Sequence, residues 1–402
     1  MRNIILTFVM ICGTPAAFAS KARMNALQNA PQVYDFQWIF DNPNQMQFVK
    51  DQFVLEMGDG TSTSAPYKLG PNVPLLAETP ALAAVSEPGA EGGFLMSNDS
   101  NVWGFYVGRR SGVTTQARRL FGFLGQENPV EVMYGTKGDL KFSGTVSYSN
   151  SDKKAAGKQN AFGTRLGVST DVWEASLIVG LGSNAEIADL NGNGTKTDPL
   201  GVGITEAGMK YKGTFGAKLG GSYRAGDTYF YGAVYQDGFK VEGLPANFAP
   251  AALGGSPVAD AEGNTEIAFT TIEVGAVETV KVDDGQFFYG ASYVASNSDN
   301  KKVETSDNFK RSKTTLPFLL GMEVKATEWM QLRGSVKQPV LLGSSKTDEA
   351  DAVTVDNATT IGLGASFTLN KWVLDTTLTG ATNGHFDFAT NTFANASLSY
   401  LF

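Results

Sequence analysis

Hydrophobic and polar residues alternate with a period of two along much of the chain after residue 50. Two is the side-chain period of a β-strand whose two faces meet different surroundings. The stretch 209–224 shows this pattern and keeps its phase across Gly213, so we predict one long strand there. In the clearest stretch, 140–149, one face is apolar or glycine and the other is polar: Leu140, Phe142, Gly144, Val146 and Tyr148 against Lys141, Ser143, Thr145, Ser147 and Ser149.

Turn residues between the alternating stretches divide the chain into sixteen predicted strands. They are 51–58, 92–98, 101–109, 129–136, 140–150, 160–170, 172–182, 207–224, 227–238, 267–282, 285–297, 314–326, 328–340, 354–369, 371–381 and 391–402.

Long and short connections alternate strictly between these strands, beginning with the long link 59–91 and the short link 99–100. Bacterial outer-membrane barrels have short periplasmic turns, long outer loops and an even number of strands. We therefore predict an all-β fold, a transmembrane antiparallel up-and-down β-barrel of about 16 strands that lies in the cell outer membrane.

Apolar residues occupy every second position of the last strand, ending with Leu398, Tyr400 and Phe402. This stretch resembles the closing strand of Gram-negative outer-membrane barrels, which ends in an aromatic residue. The resemblance implies that these three side chains form a signal that the barrel-assembly machinery reads. An ordinary half-buried terminal strand is the alternative.

The first fifty residues do not alternate. Residues 1–19 have a basic start at Arg2, an apolar run and an Ala17-Phe18-Ala19 cleavage pattern, so we predict a secretory signal peptide. It contains Cys12, the single cysteine, so the mature chain would have no disulfide. Residues 20–50 would form a periplasmic or hatch segment, and 51–402 the barrel.

The segment 20–50 contains a spaced set of residues: Arg23, Ala26, Leu27, Asp35, Asn42 and Pro43. These residues resemble the amino-terminal segment of the FadL and PorV superfamily of outer-membrane barrels. The resemblance implies that the segment tucks into the barrel from the periplasmic side, and it makes 14 strands the alternative count. The sequence departs at Gln28-Asn29, where the family usually has paired glycines, and at Asn44, where it usually has alanine.

Few residues indicate a function other than transport. The formal net charge of -8 disfavours a nucleic-acid partner. The only histidine, His385, lies in a turn-rich stretch, so we predict neither an enzyme nor a cofactor site. One loop resembles the first half of an EF-hand calcium loop, but its twelfth position is Leu200 and not glutamate. Its candidate ligands are Asp189, Asn191 and Asn193.

The phase of the strands predicts which charged side chains line the bore. Basic residues exceed acidic ones, which favours a mild anion preference. The link 110–128 also contains arginines and apolar residues, so it is predicted either to fold inward or to remain a solvated outer loop. The predicted pore-lining set is Lys141, Arg165, Glu174, Lys210, Lys212, Lys218, Arg224, Glu323, Arg333, Lys337 and Asp375.

A barrel of about 16 strands leaves a water-filled channel unless something plugs it. The predicted function is therefore a porin for ions and small hydrophilic solutes. The first alternative is a FadL-like transporter of hydrophobic compounds, and the second is a structural or adhesive barrel. Outer-membrane lipid and lipopolysaccharide are the other expected partners, and both a monomer and a homo-oligomer remain open.

Overall fold

The computed structural model describes residues 20–49, 51–59, 88–109, 118, 123–153, 157–187, 209–243, 264–300, 310–347, 350–354, 359–381 and 395–402. The predicted signal peptide, Cys12, His385 and the predicted calcium ligands lie outside these ranges. Within them, none of the helices is long and apolar enough to cross a membrane.

The described part of the chain begins with three short helices, followed by strands. The α-helix α1 is Lys21–Ala26, and two 3-10 helices follow at Phe36–Phe40 and Pro43–Gln47. The strand segments are β1 (Gln52–Asp59), β2 (Pro88–Ser97), β3 (Asn101–Val107), β4 (Val130–Thr136), β5 (Lys141–Lys153), β6 (Gly157–Ser169), β7 (Trp173–Glu186), β8 (Lys210–Gly213), β9 (Gly216–Ala225), β10 (Thr228–Glu242), β11 (Thr265–Val282), β12 (Gly285–Asn300), β13 (Lys310–Thr327), β14 (Met330–Thr347), β15 (Ala350–Thr354), β16 (Thr360–Leu369), β17 (Trp372–Ala381) and β18 (Asn395–Leu401).

All strand pairs are antiparallel, and the sheet closes on itself because β1 pairs with both β2 and β18. Two strands are interrupted. The segments β8 and β9 both lie between β7 and β10, and β15 and β16 both pair with β14. Counting each interrupted strand once gives a closed barrel of 16 strands, which confirms the predicted fold and count.

The outward face of the barrel is apolar. On β3, for example, Trp103 and Phe105 are exposed, whereas Val102 and Tyr106 on either side of them are buried. Large aromatic side chains on this face cluster near the short turns, as in the interfacial girdles of membrane barrels. They include Trp103, Tyr134, Phe142, Trp173, Tyr223, Phe230, Phe287, Tyr289, Trp329, Trp372 and Phe402.

Residues 20–49, here called the hatch, lie inside the barrel near the short turns. Helix α1 contacts β14, β16, β17 and β18, whereas the helix Pro43–Gln47 contacts β4, β5, β6 and β7. A segment that contacts opposite walls of a closed barrel in this way must cross its lumen. The hatch therefore fills the bore at the short-turn end.

Two apolar clusters fix the hatch to the wall. Phe36, Ile39 and Phe40 pack with residues from β1 to β4, among which Val54 and Tyr106 are fully buried. Leu27, Ala30 and Val33 pack with Val277, Phe288 and Leu319 from β11 to β13. Burying each large side chain contributes roughly 1.5–3 kcal/mol, so the hatch is a packed part of the fold.

Local sequence explains the shape of the hatch. Ser20, Asp35 and Asn42 begin the three helices, and each side chain accepts a hydrogen bond from a backbone N–H of the first turn. Gln28 and Asn29 follow α1 with φ angles of 53° and 56°, a backbone region that glycine adopts most easily. These two positions thus have a backbone conformation that suits glycine, although neither residue is glycine.

Close contact with the hatch requires glycine on the wall. A Cβ atom at Gly362 of β16 would lie 2.6 Å from the carbonyl oxygen of Ala26 and 2.8 Å from that of Asn25. Both neighbours are backbone atoms, so the hatch itself would have to move. At Gly182 of β7, by contrast, a Cβ atom would meet nothing within 4 Å.

We predict that Gly362→Ala loosens the hatch and that Gly182→Ala does not. Lys21 and Arg23 are buried in the folded protein, so trypsin cleaves there only when the hatch moves out of the bore. Mass spectrometry of brief digests should show faster cleavage after these residues in Gly362→Ala than in the wild type or in Gly182→Ala. Equal cleavage rates in all three proteins would contradict tight packing of the hatch at β16.

Candidate functional site

A buried ion cluster joins the hatch to the wall. The Arg23 guanidinium donates two hydrogen bonds to the Glu323 carboxylate, at 2.9 and 2.8 Å, and contacts Asp35 at 3.2 Å. Arg333 lies between Glu323 and Asp375, with 2.6 Å contacts to both carboxylates. These five side chains are buried, and two guanidinium groups are balanced by three carboxylates.

The pKa values of two hatch residues in this cluster, Arg23 and Asp35, are shifted. Burial acts to lower the pKa of Arg23, but the neighbouring carboxylates, chiefly Glu323, raise it on balance. Burial raises the pKa of the Asp35 carboxyl to about 7, although Arg23 and the N–H of Gln37 oppose the rise. Arg23 is therefore a permanent cation at the centre of the cluster.

Four other predicted inward cations also contact partners. Arg165 holds Glu131 through two bonds of 2.6 and 3.1 Å, and Lys218 is paired with Asp41 of the hatch. Lys141 contacts Asp171 at 2.6 Å. The Arg224 guanidinium donates to the Gln32 carbonyl oxygen at 2.8 Å and lies over the Tyr34 and Tyr229 rings.

Among the remaining predicted residues, Glu174 is buried and accepts hydrogen bonds from Asn42 and Gln45 of the hatch. Lys337 is partly buried, and its register partner on β13 is the buried Leu319. The basic excess that favoured anions is therefore largely neutralised, because Glu131 and Asp41, which the predicted set omits, compensate two of the cations. These contacts hold the cations against protein groups.

Lys210 and Lys212 differ from the prediction and lie on the outward face. Tyr211 between them is buried inside the barrel, while Lys212 pairs with Glu242 at the exposed surface at 2.9 Å. The cause is a slip in the ladder. The pairing with β10 slips by one residue between β8 and β9. The inward positions therefore change from Tyr211 on β8 to Lys218 on β9.

The ladder between β7 and its neighbour is interrupted at the same place. Pairing runs up to Gly180–Gly216 and resumes in the same register at Asn184–Lys212, so the residues between form no pairs across this ladder. The β6–β7 register also shifts at Phe162/Gly163. Glycines occupy the edges of this ladder gap at Gly180, Gly182, Gly213 and Gly216.

The phase switch also creates an aromatic stripe inside the barrel. Phe123, Tyr211, Phe239 and Phe269 follow one another with ring-centroid distances of 5.9, 5.2 and 5.9 Å. All four side chains are at most 4% exposed. Sequence reasoning missed this stripe, because an uninterrupted strand over 209–224 would point Tyr211 at the lipid.

Described residues of the link 110–128 fold inward, as one of its two predicted alternatives requires. Arg118 is fully buried and donates to Gln159, Ser183 and the carbonyl oxygens of Asn160 and Asn184 at 2.7–3.1 Å. The Arg109 Cζ atom, just before this link, lies 3.7 Å from the Phe40 ring centroid. These contacts place Arg118 against β6 and β7, on the side of the barrel away from α1.

A cavity of about 150 Å³ lies between the hatch and this part of the wall. Its inward-facing lining includes Phe40, Ala161, Ile178, Tyr211 and Lys218. Its lining also includes the outward-facing residues beside the ladder gap, Phe162, Val179 and Ala217. Residues of both faces of the sheet thus line the cavity, and its size suits one benzene-sized molecule.

No group of three or more His, Cys, Asp or Glu residues in the described ranges is arranged to hold a metal ion. Leu398 and Phe402 are exposed on the outward face, and the Tyr400 ring lies 4.8 Å from that of Trp372. Their proposed role in assembly remains a prediction.

No protein-family model matches the chain, and no curated protein matches it. Solved structures with a similar fold include the CymD monoaromatic hydrocarbon channel, at 10% identity and a TM-score of 0.41, covering 97% of this chain and 99% of that one. A FadL homologue from Pseudomonas aeruginosa has 12% identity and a TM-score of 0.40, covering 96% and 98%. A bacterial polysaccharide outer membrane secretin has 9% identity and a TM-score of 0.41, covering 88% and 98%.

We predict that Glu323→Gln destabilises the barrel by about 3 kcal/mol or more, because removing one partner of a buried ion pair leaves uncompensated charge. Urea unfolding in lipid vesicles, followed by tryptophan fluorescence, measures the change. Glu328→Gln is the matched control, since the Glu328 side chain is 93% exposed in the next turn and its pair with Lys325 is a surface contact. Equal stabilities of the two variants would contradict a structural role for the cluster.

Proposed function

We propose that this chain is an outer-membrane channel for small apolar or amphipathic molecules, which corresponds to the hydrophobic-compound alternative and not to the porin prediction. The observation that carries this proposal is the pairing of a filled bore with a cavity that borders the ladder gap. The filled bore concerns the passage of hydrated ions, and the cavity concerns the binding of an apolar molecule.

The filled bore argues against free passage of hydrated ions. A porin needs an open aqueous channel, but the hatch packs against opposite walls and its ion cluster is buried. An apolar molecule needs no such channel. It gains free energy by leaving water for an apolar site, at roughly 25 cal/mol per Å² of buried surface.

The cavity supplies that apolar site. Phe40, Ile178 and Ala161 form its inner surface, and Tyr211 joins it to the aromatic stripe. Five charged side chains share the lining with these apolar ones, and pockets that combine apolar surface with convergent polar groups are typical of small-molecule sites. The outward residues Phe162 and Val179 at the gap give a bound molecule a route to the lipid without passing the hatch.

We predict that filling the cavity blocks uptake. Ala161 is 9% exposed on the inward face of β6, so Ala161→Trp places an indole ring in the cavity. Uptake of radiolabelled ethylbenzene by intact cells should fall toward that of cells without the protein. Ala291→Trp is the control, because Ala291 is exposed on the outward face of β12.

The two variants are compared at equal amounts of protein in the outer membrane. Uptake should be unchanged in Ala291→Trp. If Ala161→Trp takes up ethylbenzene as fast as the wild type does, the cavity is not on the transport route.

We also predict that the purified wild-type chain gives far less steady ion conductance in planar bilayers than a chain lacking residues 20–49. The hatch obstructs the lumen of the wild type, and its removal leaves a bore of 16 strands. A large steady conductance of the wild type, equal to that of the shortened chain, would support the porin function instead.

A further inference from the structure

We infer that the cavity prefers molecules that carry a cationic amine on an apolar body, and that Asp237 is the residue that recognises the amine. This inference rests on the proposed function and deepens it. It comes from the balance of charges around the cavity.

Asp237 lies on β10 and lines the cavity beside the ladder gap. Its Oδ2 accepts a hydrogen bond from the Tyr235 hydroxyl at 2.6 Å, and its Oδ1 accepts one from the Gly238 N–H at 2.7 Å. Both oxygens therefore act as acceptors, and each keeps a further lone pair. A Cβ atom at position 216 would lie 2.8 Å from Oδ1, so glycine there leaves room for the carboxylate.

The cations that line the cavity are committed to other partners. Arg165 is held by Glu131 in a two-bond pair, and Lys218 is paired with Asp41. Arg109 donates to the Gln37 side chain at 2.8 Å and lies 3.8 Å from Glu91. In the part of the chain that the structure describes, no lysine or arginine forms an ion pair with Asp237.

A partly buried carboxylate without a counter-ion is costly, because burial removes water that would solvate its charge. A ligand ammonium group supplies both the missing charge and the missing donors. A ligand carboxylate would instead be repelled, and the paired cations are not free to receive it. A neutral hydrocarbon would bind through apolar contact alone.

Three probes of nearly the same size separate these cases: benzylammonium, ethylbenzene and benzoate. Their affinities for the full-length protein in detergent at pH 7 are measured by equilibrium dialysis. We expect the wild type to bind benzylammonium at least about tenfold more tightly than benzoate. In Asp237→Asn, benzylammonium affinity should fall about 10- to 100-fold, the range for a hydrogen bond to a charged group, and ethylbenzene affinity should not change.

Glu242→Gln is the matched control, because Glu242 lies on the same strand and pairs with Lys212 and Lys240 outside the cavity. It should leave all three affinities unchanged. Wild-type protein that binds benzylammonium and benzoate equally would overturn the inference, whether or not the variants fold. If ethylbenzene also fails to bind the wild type, the proposed function itself fails; if ethylbenzene binds without any preference for the amine, only the role of Asp237 is refuted.

Discussion

Backbone hydrogen bonding in lipid is the constraint on which this structure depends. No water reaches the bilayer core to satisfy an exposed N–H or C=O group, so the sheet must close. Here β1 closes it by pairing with β2 on one side and β18 on the other. In the closed barrel, the outward face contacts lipid and is therefore apolar. The inward face can carry charge and pack against the hatch.

Charge and shape then decide how the lumen is filled. Arg23 can be buried because Glu323 and Asp35 surround it, and the hatch backbone can approach β16 because Gly362 has no side chain. The residues that resemble the FadL and PorV segment have identifiable structural tasks: Arg23 forms ion pairs, Leu27 packs in a core cluster, and Asp35 and Asn42 begin helices. The resemblance therefore reflects how a short segment is fixed inside a barrel.

Period-two alternation and turn residues were enough to predict 16 strands and most of their bounds, because lipid and lumen impose opposite polarity on neighbouring residues. The same reasoning failed at Lys210 and Lys212, since a one-residue slip near Gly213 exchanges the two faces of the sheet. It also could not pair Lys218 with Asp41, which lies 177 residues earlier in the chain. Alternation reports the face of a side chain but not its partner.

The wrong prediction for Lys210 and Lys212 and the candidate site both trace to the slip near Gly213. The slip that turned Tyr211 inward placed it in the aromatic stripe. It lies where the β7 ladder is interrupted beside Gly180 and Gly216 and where Asp237 faces a cavity. A regular strand would have continued the ladder and pointed Tyr211 at lipid. Bulges commonly redirect side chains at functional sites. The place where the alternation rule breaks is therefore the place where a barrel of otherwise regular strands acquires its candidate binding site.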